Sequence, residues 1–174
     1  MVSNVGDLVK FGNILLYSYH AQNKDNNIGS IGKEKTFSNY KEHIGNKDGQ
    51  ILPGYLKPST VELLWTPVPL TRCSWHPDGG YGLGYHVVPI THSNRKLLCA
   101  GHSGASVGQS SVLTILTDQK EQNIDKNKLL KASDPVDTHL PKGIVVAILG
   151  NMQKMALSPV GLEIALLFLD TNLA

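Results

Sequence analysis

The residues whose types and spacing best suit chemistry are Gly101-His102-Ser103-Gly104-Ala105, which directly follow an apolar run. One interpretation is a nucleophile elbow, G-x-S-x-[GA], in which Ser103 attacks a carbonyl from a strained strand-to-helix turn, as in an α/β-hydrolase. That arrangement requires a helix next. The segment that follows, 110–116, is rich in β-branched residues and favours a strand, which weighs against the elbow.

A second interpretation places the same residues on a strand that lines an open groove. His102 and Ser103 would then face a substrate carboxylate and help to move a proton. Gly104 would remove the side chain where a substrate backbone must approach. The backbone N–H of Ala105 would donate to a developing oxyanion. In this interpretation His102, Ser103, Gly104 and Ala105 would form a substrate cleft.

These residues need a sheet to position them, and the periodicity along the chain predicts one. Alternating or β-branched residues indicate four consecutive strands, and helical spacing indicates three helices. The strands are expected at 81–88, 95–100, 110–116 and 143–149, and the helices at about 4–20, at 58–65 and from Pro159 onward. Because the strands follow one another without intervening helices, an antiparallel sheet backed by helices is expected, which is an α+β fold.

Two details of these elements are specific enough to check. Gly82 and Gly84 share one side of the first strand, so we expect another part of the chain to lie close to that side. In the last helix, four apolar residues at helical spacing are expected to face the sheet. They are Val160, Ile164, Leu167 and Phe168.

Composition narrows the function classes. The 174 residues fit a single domain, 1–174, with polar loops at about 21–50 and 117–142. A net charge of +2 argues against a nucleic-acid surface. No apolar run reaches the roughly 18 to 20 residues that a membrane span needs, and no targeting segment is visible.

Metal, cofactor and cysteine chemistry are not expected either. The seven histidines show no HExxH or comparable ligand spacing, so no metal or cofactor is expected. We expect structural or surface roles for the six histidines besides His102. Two cysteines, Cys73 and Cys99, allow at most one disulfide, which excludes a disulfide scaffold. Asp134, Asp137 and His139 follow Ser103 in hydrolase order but lie in the second polar loop, and we discount them as a triad.

Several motifs together resemble the serine β-lactamase and penicillin-binding protein superfamily. His102-Ser103-Gly104 is similar to its third box, usually Lys-Thr-Gly and in one branch His-Ser-Gly. Tyr81-Gly82-Leu83-Gly84-Tyr85 resembles a strand of the class C relatives, and the segment 3–11 resembles the helix between the second and third boxes. Five further segments are similar to the C-terminal part of the mitochondrial members found in animals. They are Phe11-Gly12-Asn13, Leu16-Tyr17-Ser18-Tyr19, the segment 52–58, Trp65-Thr66-Pro67-Val68-Pro69 and Gly150-Asn151-Met152-Gln153.

The family's nucleophile and base boxes are not matched convincingly. Ser30-Ile31-Gly32-Lys33 and Ser38-Asn39-Tyr40-Lys41 fit its Ser-x-x-Lys box in letters. Both lie in the first polar loop, after the first helix instead of before it, and neither opens an apolar helix that would lower the pKa of its lysine. Tyr-x-Asn does not occur. We therefore expect the C-terminal portion of a β-lactamase/transpeptidase-like fold, without catalytic residues of its own.

The resemblance implies a function. It implies a mitochondrial serine peptidase that is linked to lipid metabolism and acts on a peptide or acyl substrate. The portion that this chain represents is expected to be inactive on its own. The alternative is a non-catalytic protein that binds or assembles through the same sheet, and a lesser alternative is the α/β-hydrolase with Ser103 as nucleophile. Strands left uncovered on one side would expose apolar surface, which makes self-association a further expectation.

Overall fold

An antiparallel sheet of five strands in the order β1-β2-β3-β4-β5 forms the centre of the structure, a computed structural model that describes residues 3–21, 56–120 and 143–171. Each strand pairs with its neighbour in sequence, and three helices complete the fold. The elements are α1 (Val5–His20), α2 (Pro58–Leu64), β1 (Gly80–Tyr81), β2 (His86–His92), β3 (Arg95–Ser106), β4 (Gln109–Asp118), β5 (Gly143–Gly150) and α3 (Leu157–Thr171). The predicted α+β class and antiparallel sheet are thus confirmed.

Helices cover both faces of the sheet. On the first face, Val87, Ala100 and Ile115 form a buried cluster with residues of α1 and α2. On the second face, buried residues of β2, β3 and β4 pack against α3 and against Cys73 of the loop between α2 and β1. The strand alternation explains this division, because successive side chains of a strand point to opposite faces.

The first helix begins where the sequence predicts. The side-chain oxygen of Asn4 accepts a hydrogen bond from the backbone N–H of Asp7 at 3.0 Å and so caps α1. Asp7 lies in the first turn, where the helix dipole favours a negative charge. α1 can approach the sheet because Gly12 faces Val145 and Leu113, leaving no room there for a side chain.

Replacing the cap gives a first prediction. Asn4→Ala should lower the free energy of unfolding by about 1 kcal/mol, since an N-cap that loses its acceptor typically costs that much. Urea unfolding followed by circular dichroism measures the change. Ser3→Ala is the matched control, because the Ser3 hydroxyl makes only a 3.5 Å contact with the Asn4 carbonyl. Equal destabilisation by both variants would contradict a specific role for the Asn4 cap.

The predicted strand at 81–88 is wrong in its bounds. It is divided into β1 and β2 by a tight turn in which Gly84 has φ +85° and Gly82 donates a hydrogen bond to the Tyr85 carbonyl at 2.7 Å. The two glycines serve different purposes. Gly82 lies against the Leu64 carbonyl at the end of α2, whereas nothing lies within 4 Å of Gly84, whose glycine is needed for its backbone conformation. The expected close approach therefore holds for Gly82 only.

The inward face predicted for the last helix is also wrong. Leu157, Gly161, Leu162, Ala165 and Leu169 are buried, while Val160, Leu167 and Phe168 are exposed. The helix is apolar on almost every side, so apolar spacing alone does not single out the buried face. The small residue Gly161 decides it, because the helix approaches so closely there that an added Cβ would lie 2.5 Å from the Thr114 hydroxyl oxygen.

The predicted loops are only partly within the described residues. β4 extends to Asp118, so the connection predicted at 117–142 begins two residues later than expected. Residues 121–142 of that connection lie outside the described residues, as do residues 22–50 of the first polar loop. Within the described ranges, no helix combines the length and apolar character that crossing a membrane requires.

Candidate functional site

The segment from His102 to Ser106 forms one end of β3, and no strand of the described ranges pairs with its outer backbone edge. β2 begins at His86, which pairs with Gly101, so β3 continues beyond its neighbour on that side. On its other side the segment pairs with β4 along its whole length, ending at Ser106 and Gln109. All five of its residues are exposed. The predicted cleft residues therefore lie along an accessible strand edge.

The register places the predicted residues on different sides of the strand. His102 pairs with Leu113 and shares the first face of the sheet, whereas Ser103 pairs with Val112 and shares the second face. The two side chains consequently do not converge on one point above the sheet. A ligand lying along the free edge would have His102 on one side and Ser103 on the other.

Aromatic rings surround the start of this edge. The ring of Tyr81 lies 6.1 Å from the ring of His102 in an edge-to-face arrangement. The ring of Trp75 makes a similar contact with His86, with 5.1 Å between the centroids. Sequence analysis did not assign Tyr81 or His86 to the site. Their position beside His102 follows from the pairing of β1 with β2 and of β2 with β3, which the sequence alone does not give.

His86 is the most strongly perturbed histidine of the group. It is 4% exposed, and burial, followed by the nearby charge of His102, lowers its pKa from 6.5 to about 4. Its Nε2 has no hydrogen-bond partner among the described residues. His86 is therefore a neutral, structural side chain at physiological pH, and His102 is the solvent-accessible imidazole of this edge.

Gly104 lies close to the neighbouring strand β4. A Cβ at this position would lie 2.7 Å from the hydroxyl oxygen of Ser111 on the neighbouring strand. The close contact at Gly104 is thus with a side chain of β4. Close approach of a substrate backbone at this position stays a prediction.

The nucleophile elbow is contradicted by the local structure. Ser103 lies within β3, and a two-residue turn, in which Gly108 has φ +77°, leads directly into β4. An elbow needs a sharp turn at the serine and a helix after it. In the ranges 3–21, 56–120 and 143–171, no histidine or carboxylate hydrogen-bonds to the Ser103 hydroxyl. The interpretation of this protein as an α/β-hydrolase with Ser103 as nucleophile is therefore wrong.

Matches to the Ser-x-x-Lys box do not supply a nucleophile within the described residues. Ser30 and Ser38 lie outside them. A third match that the sequence analysis overlooked, Ser93-Asn94-Arg95-Lys96, forms the turn between β2 and β3. Ser93 and Asn94 have φ values of 47° and 60°, as in a tight hairpin turn. This turn is at the opposite end of β3 from His102, and Lys96 is exposed to solvent.

Among the described residues, the cysteines and acidic residues add no alternative chemistry. Cys73 and Cys99 are both buried free thiols, and burial, with a smaller contribution from Cys73, raises the pKa of Cys99 to about 12. A thiol with so high a pKa is a poor nucleophile. No group of three or more potential metal ligands occurs in the part of the chain that the structure describes. Asp134, Asp137 and His139 lie outside that part.

Comparison with known proteins identifies relatives over nearly the whole chain. No protein-family model matches. The chain is 36% identical over 171 residues to a mouse protein named serine beta-lactamase-like protein LACTB, mitochondrial, covering 96% of this chain and 26% of the mouse protein. The human protein of the same name is also 36% identical over 171 residues, and the bovine one is 37% identical. The chain spans about a quarter of the length of these curated relatives.

Proposed function

The chain is related to the mitochondrial serine β-lactamase-like proteins, a serine hydrolase-like family, and from this premise we propose that it forms the third-box portion of such a hydrolase domain. The observation that carries the proposal is the exposed end of β3 with its His-Ser-Gly sequence, where only β4 pairs with the strand among the described residues. Because the relatives are named as mitochondrial, the proposal includes a mitochondrial location.

The free edge of β3 would hold the substrate. An unpaired strand presents N–H and C=O groups that can hydrogen-bond to an extended peptide or an acyl amide. His102 would contribute a hydrogen bond or, when protonated, a positive charge beside a carboxylate. Gly104 would allow the substrate backbone to lie against the strand. This supports a peptide or acyl substrate, and the resemblance extends the proposal to a peptidase linked to lipid metabolism.

The chain would bind substrate without cleaving it. Acyl transfer requires an attacking hydroxyl, a base for its proton and an oxyanion site. Ser103 has no base beside it among the described residues, and the Ser93 match is a turn at the wrong end of β3. These two observations also favour the second candidate, a non-catalytic protein that binds or assembles through the same sheet.

Covalent labelling tests the absence of a nucleophile. We expect neither a fluorophosphonate nor penicillin G to form an adduct with the purified chain, measured by intact-mass spectrometry. Labelling that disappears in Ser30→Ala or Ser38→Ala would contradict this and identify a functional first box. Labelling that disappears only in Ser103→Ala would contradict the structural argument against the elbow.

Binding at the edge is tested separately in the same samples. Penicillin G in excess should shift the amide resonances of His102 and Gly104 in the NMR spectrum, while the amide of Leu63 on α2 stays unchanged. His102→Ala should weaken this response, and His92→Ala, which removes a histidine at the other end of β2, should not. If no resonance of the 102–106 segment shifts, the substrate edge is wrong and the assembly function takes its place.

A further inference from the structure

A cavity of about 610 Å³ lies between two arms of the segment that joins α2 to β1. The first arm runs from Pro67 to Cys73 and the second from Pro77 to Gly80. The volume falls within the range of about 300 to 1,000 Å³ that small-molecule sites occupy. None of the lining residues belongs to β3, so the cavity is separate from the candidate substrate edge.

Hydrogen bonds among the arms and β1 fix the shape of the cavity. The Val68 N–H donates to the Tyr81 carbonyl at 2.8 Å, and the Cys73 N–H donates to the Gly79 carbonyl at 2.9 Å. The Thr71 hydroxyl oxygen accepts a hydrogen bond from the Tyr81 N–H at 2.9 Å. The cavity is thus preformed, and a ligand that binds there does not first have to order the loop.

One wall of the cavity is apolar and rigid. Pro67 and Pro69 restrict the backbone of the first arm, and Pro67 packs on Gly80, where an added Cβ would lie 2.7 Å from the proline Cβ. Leu70 in the same arm is fully exposed and has φ 68°, a left-handed conformation that leucine rarely adopts. Strained residues of this kind concentrate at ligand clamps and switch regions.

Two opposite charges line the cavity without pairing. Arg72 belongs to the first arm and Asp78 to the second, and both residues are exposed. Neither forms an ion pair with the other or with any other described residue. A guanidinium binds a carboxylate well, and a carboxylate binds an ammonium group. The two charges therefore suit a ligand that carries one group of each kind.

We propose that this cavity binds a short apolar peptide with free termini. Arg72 holds the terminal carboxylate and Asp78 the terminal ammonium group, while the wall of Pro67, Val68 and Leu70 contacts the apolar side chains. Because Arg72 and Asp78 do not reach each other, a dipeptide, whose terminal charges are several bonds apart, suits them better than a single amino acid. Both charges are exposed to solvent, so each contact contributes modestly and the affinity is expected to be weak.

Titration of the 174-residue chain with the dipeptide L-leucyl-L-leucine, followed by NMR, tests the proposal. The amide resonances of Arg72, Gly79 and Gly80 should shift and saturate. If no resonance of the 67–80 segment shifts with saturation at millimolar peptide, the proposal is overturned. Shifts confined to the 102–106 segment would also overturn it, and they would support the substrate edge of β3 instead. The two sites are therefore distinguished in one spectrum.

Two peptide analogues and two variants assign the charges. N-acetyl-leucyl-leucine lacks the ammonium group and leucyl-leucine amide lacks the carboxylate, so each should bind the wild type about two- to fivefold more weakly than the dipeptide. Arg72→Gln should remove only the preference over the amide. Asp78→Asn should remove only the preference over the acetylated peptide.

A third variant controls for the general loss of surface charge. Lys10→Gln removes an exposed cation of α1, outside the cavity, and should retain both preferences. Equal binding of all three peptides to the wild type would overturn the proposal. Loss of either preference in Lys10→Gln would do the same, because it would show that the net charge of the chain decides binding.

Discussion

Acidification from pH 6.5 towards pH 4 should lower the free energy of unfolding by up to about 3 kcal/mol through His86. Burial lowers the pKa of this side chain from 6.5 to about 4 in the folded state. Between these values the unfolded chain binds a proton that the folded chain does not, so stability falls as the pH falls. The full stability is present above pH 6.5, and the loss reaches its limit near pH 4. The size of the loss follows from the shift, because one pKa unit is worth about 1.4 kcal/mol.

The comparison of two histidines isolates this effect. Urea unfolding at a series of pH values should show a shallower pH dependence for His86→Phe than for the wild type. His76→Phe is the control, because the ring of His76 also contacts Trp75, at 5.7 Å, but His76 is only half-buried. Burial also lowers the pKa of His20, so the dependence will not vanish entirely. An unchanged slope in His86→Phe would show that folding does not lower the pKa of His86.

Gly101→Ala should destabilise the protein by about 3 kcal/mol or more, because the added methyl group has no space. It would meet the backbone carbonyl oxygen of Leu113, which cannot move without breaking the pairing of β3 and β4. It would also lie 2.8 Å from Nε2 of His86. Thermal unfolding at fixed protein concentration measures the loss.

Two further variants identify the cause. Gly104→Ala, in the same strand, should remain within about 1 kcal/mol of the wild type, because its methyl group meets only the Ser111 hydroxyl, which can rotate away. Adding His86→Ala to Gly101→Ala should not restore stability if the Leu113 carbonyl is decisive. Full recovery in the double variant would instead assign the effect to the histidine.

The elements were predictable where local chemistry determines them. Asn4 and Asp7 mark the start of α1, and β-branched residues mark β4 and β5. The predictions failed where tertiary packing decides. The inner side of α3 depends on the close approach at Gly161, and in the turn between β1 and β2 the Leu83 N–H donates to the distant Leu64 carbonyl. Neither contact is visible in periodicity.

The candidate site shows the same division. The residue types of the 101–105 segment suffice to suggest a strand edge. That His102 and Ser103 lie on opposite sides of it follows from the register with β4, and the low pKa of His86 follows from its burial. The third Ser-x-x-Lys match, at Ser93, could be rejected only once its turn conformation was known.

The two short turns that enclose β3 affect the order in which the chain folds. Two residues join β2 to β3 at Ser93 and Asn94, and two residues join β3 to β4 before Gln109. Closing such short loops costs little chain entropy, so contacts within 86–118 form faster than contacts that need distant segments. β5 and both long helices must then dock on a meander that already exists. The strand edge with His102 thus belongs to the part of the described sheet whose strand pairings are the most local in sequence.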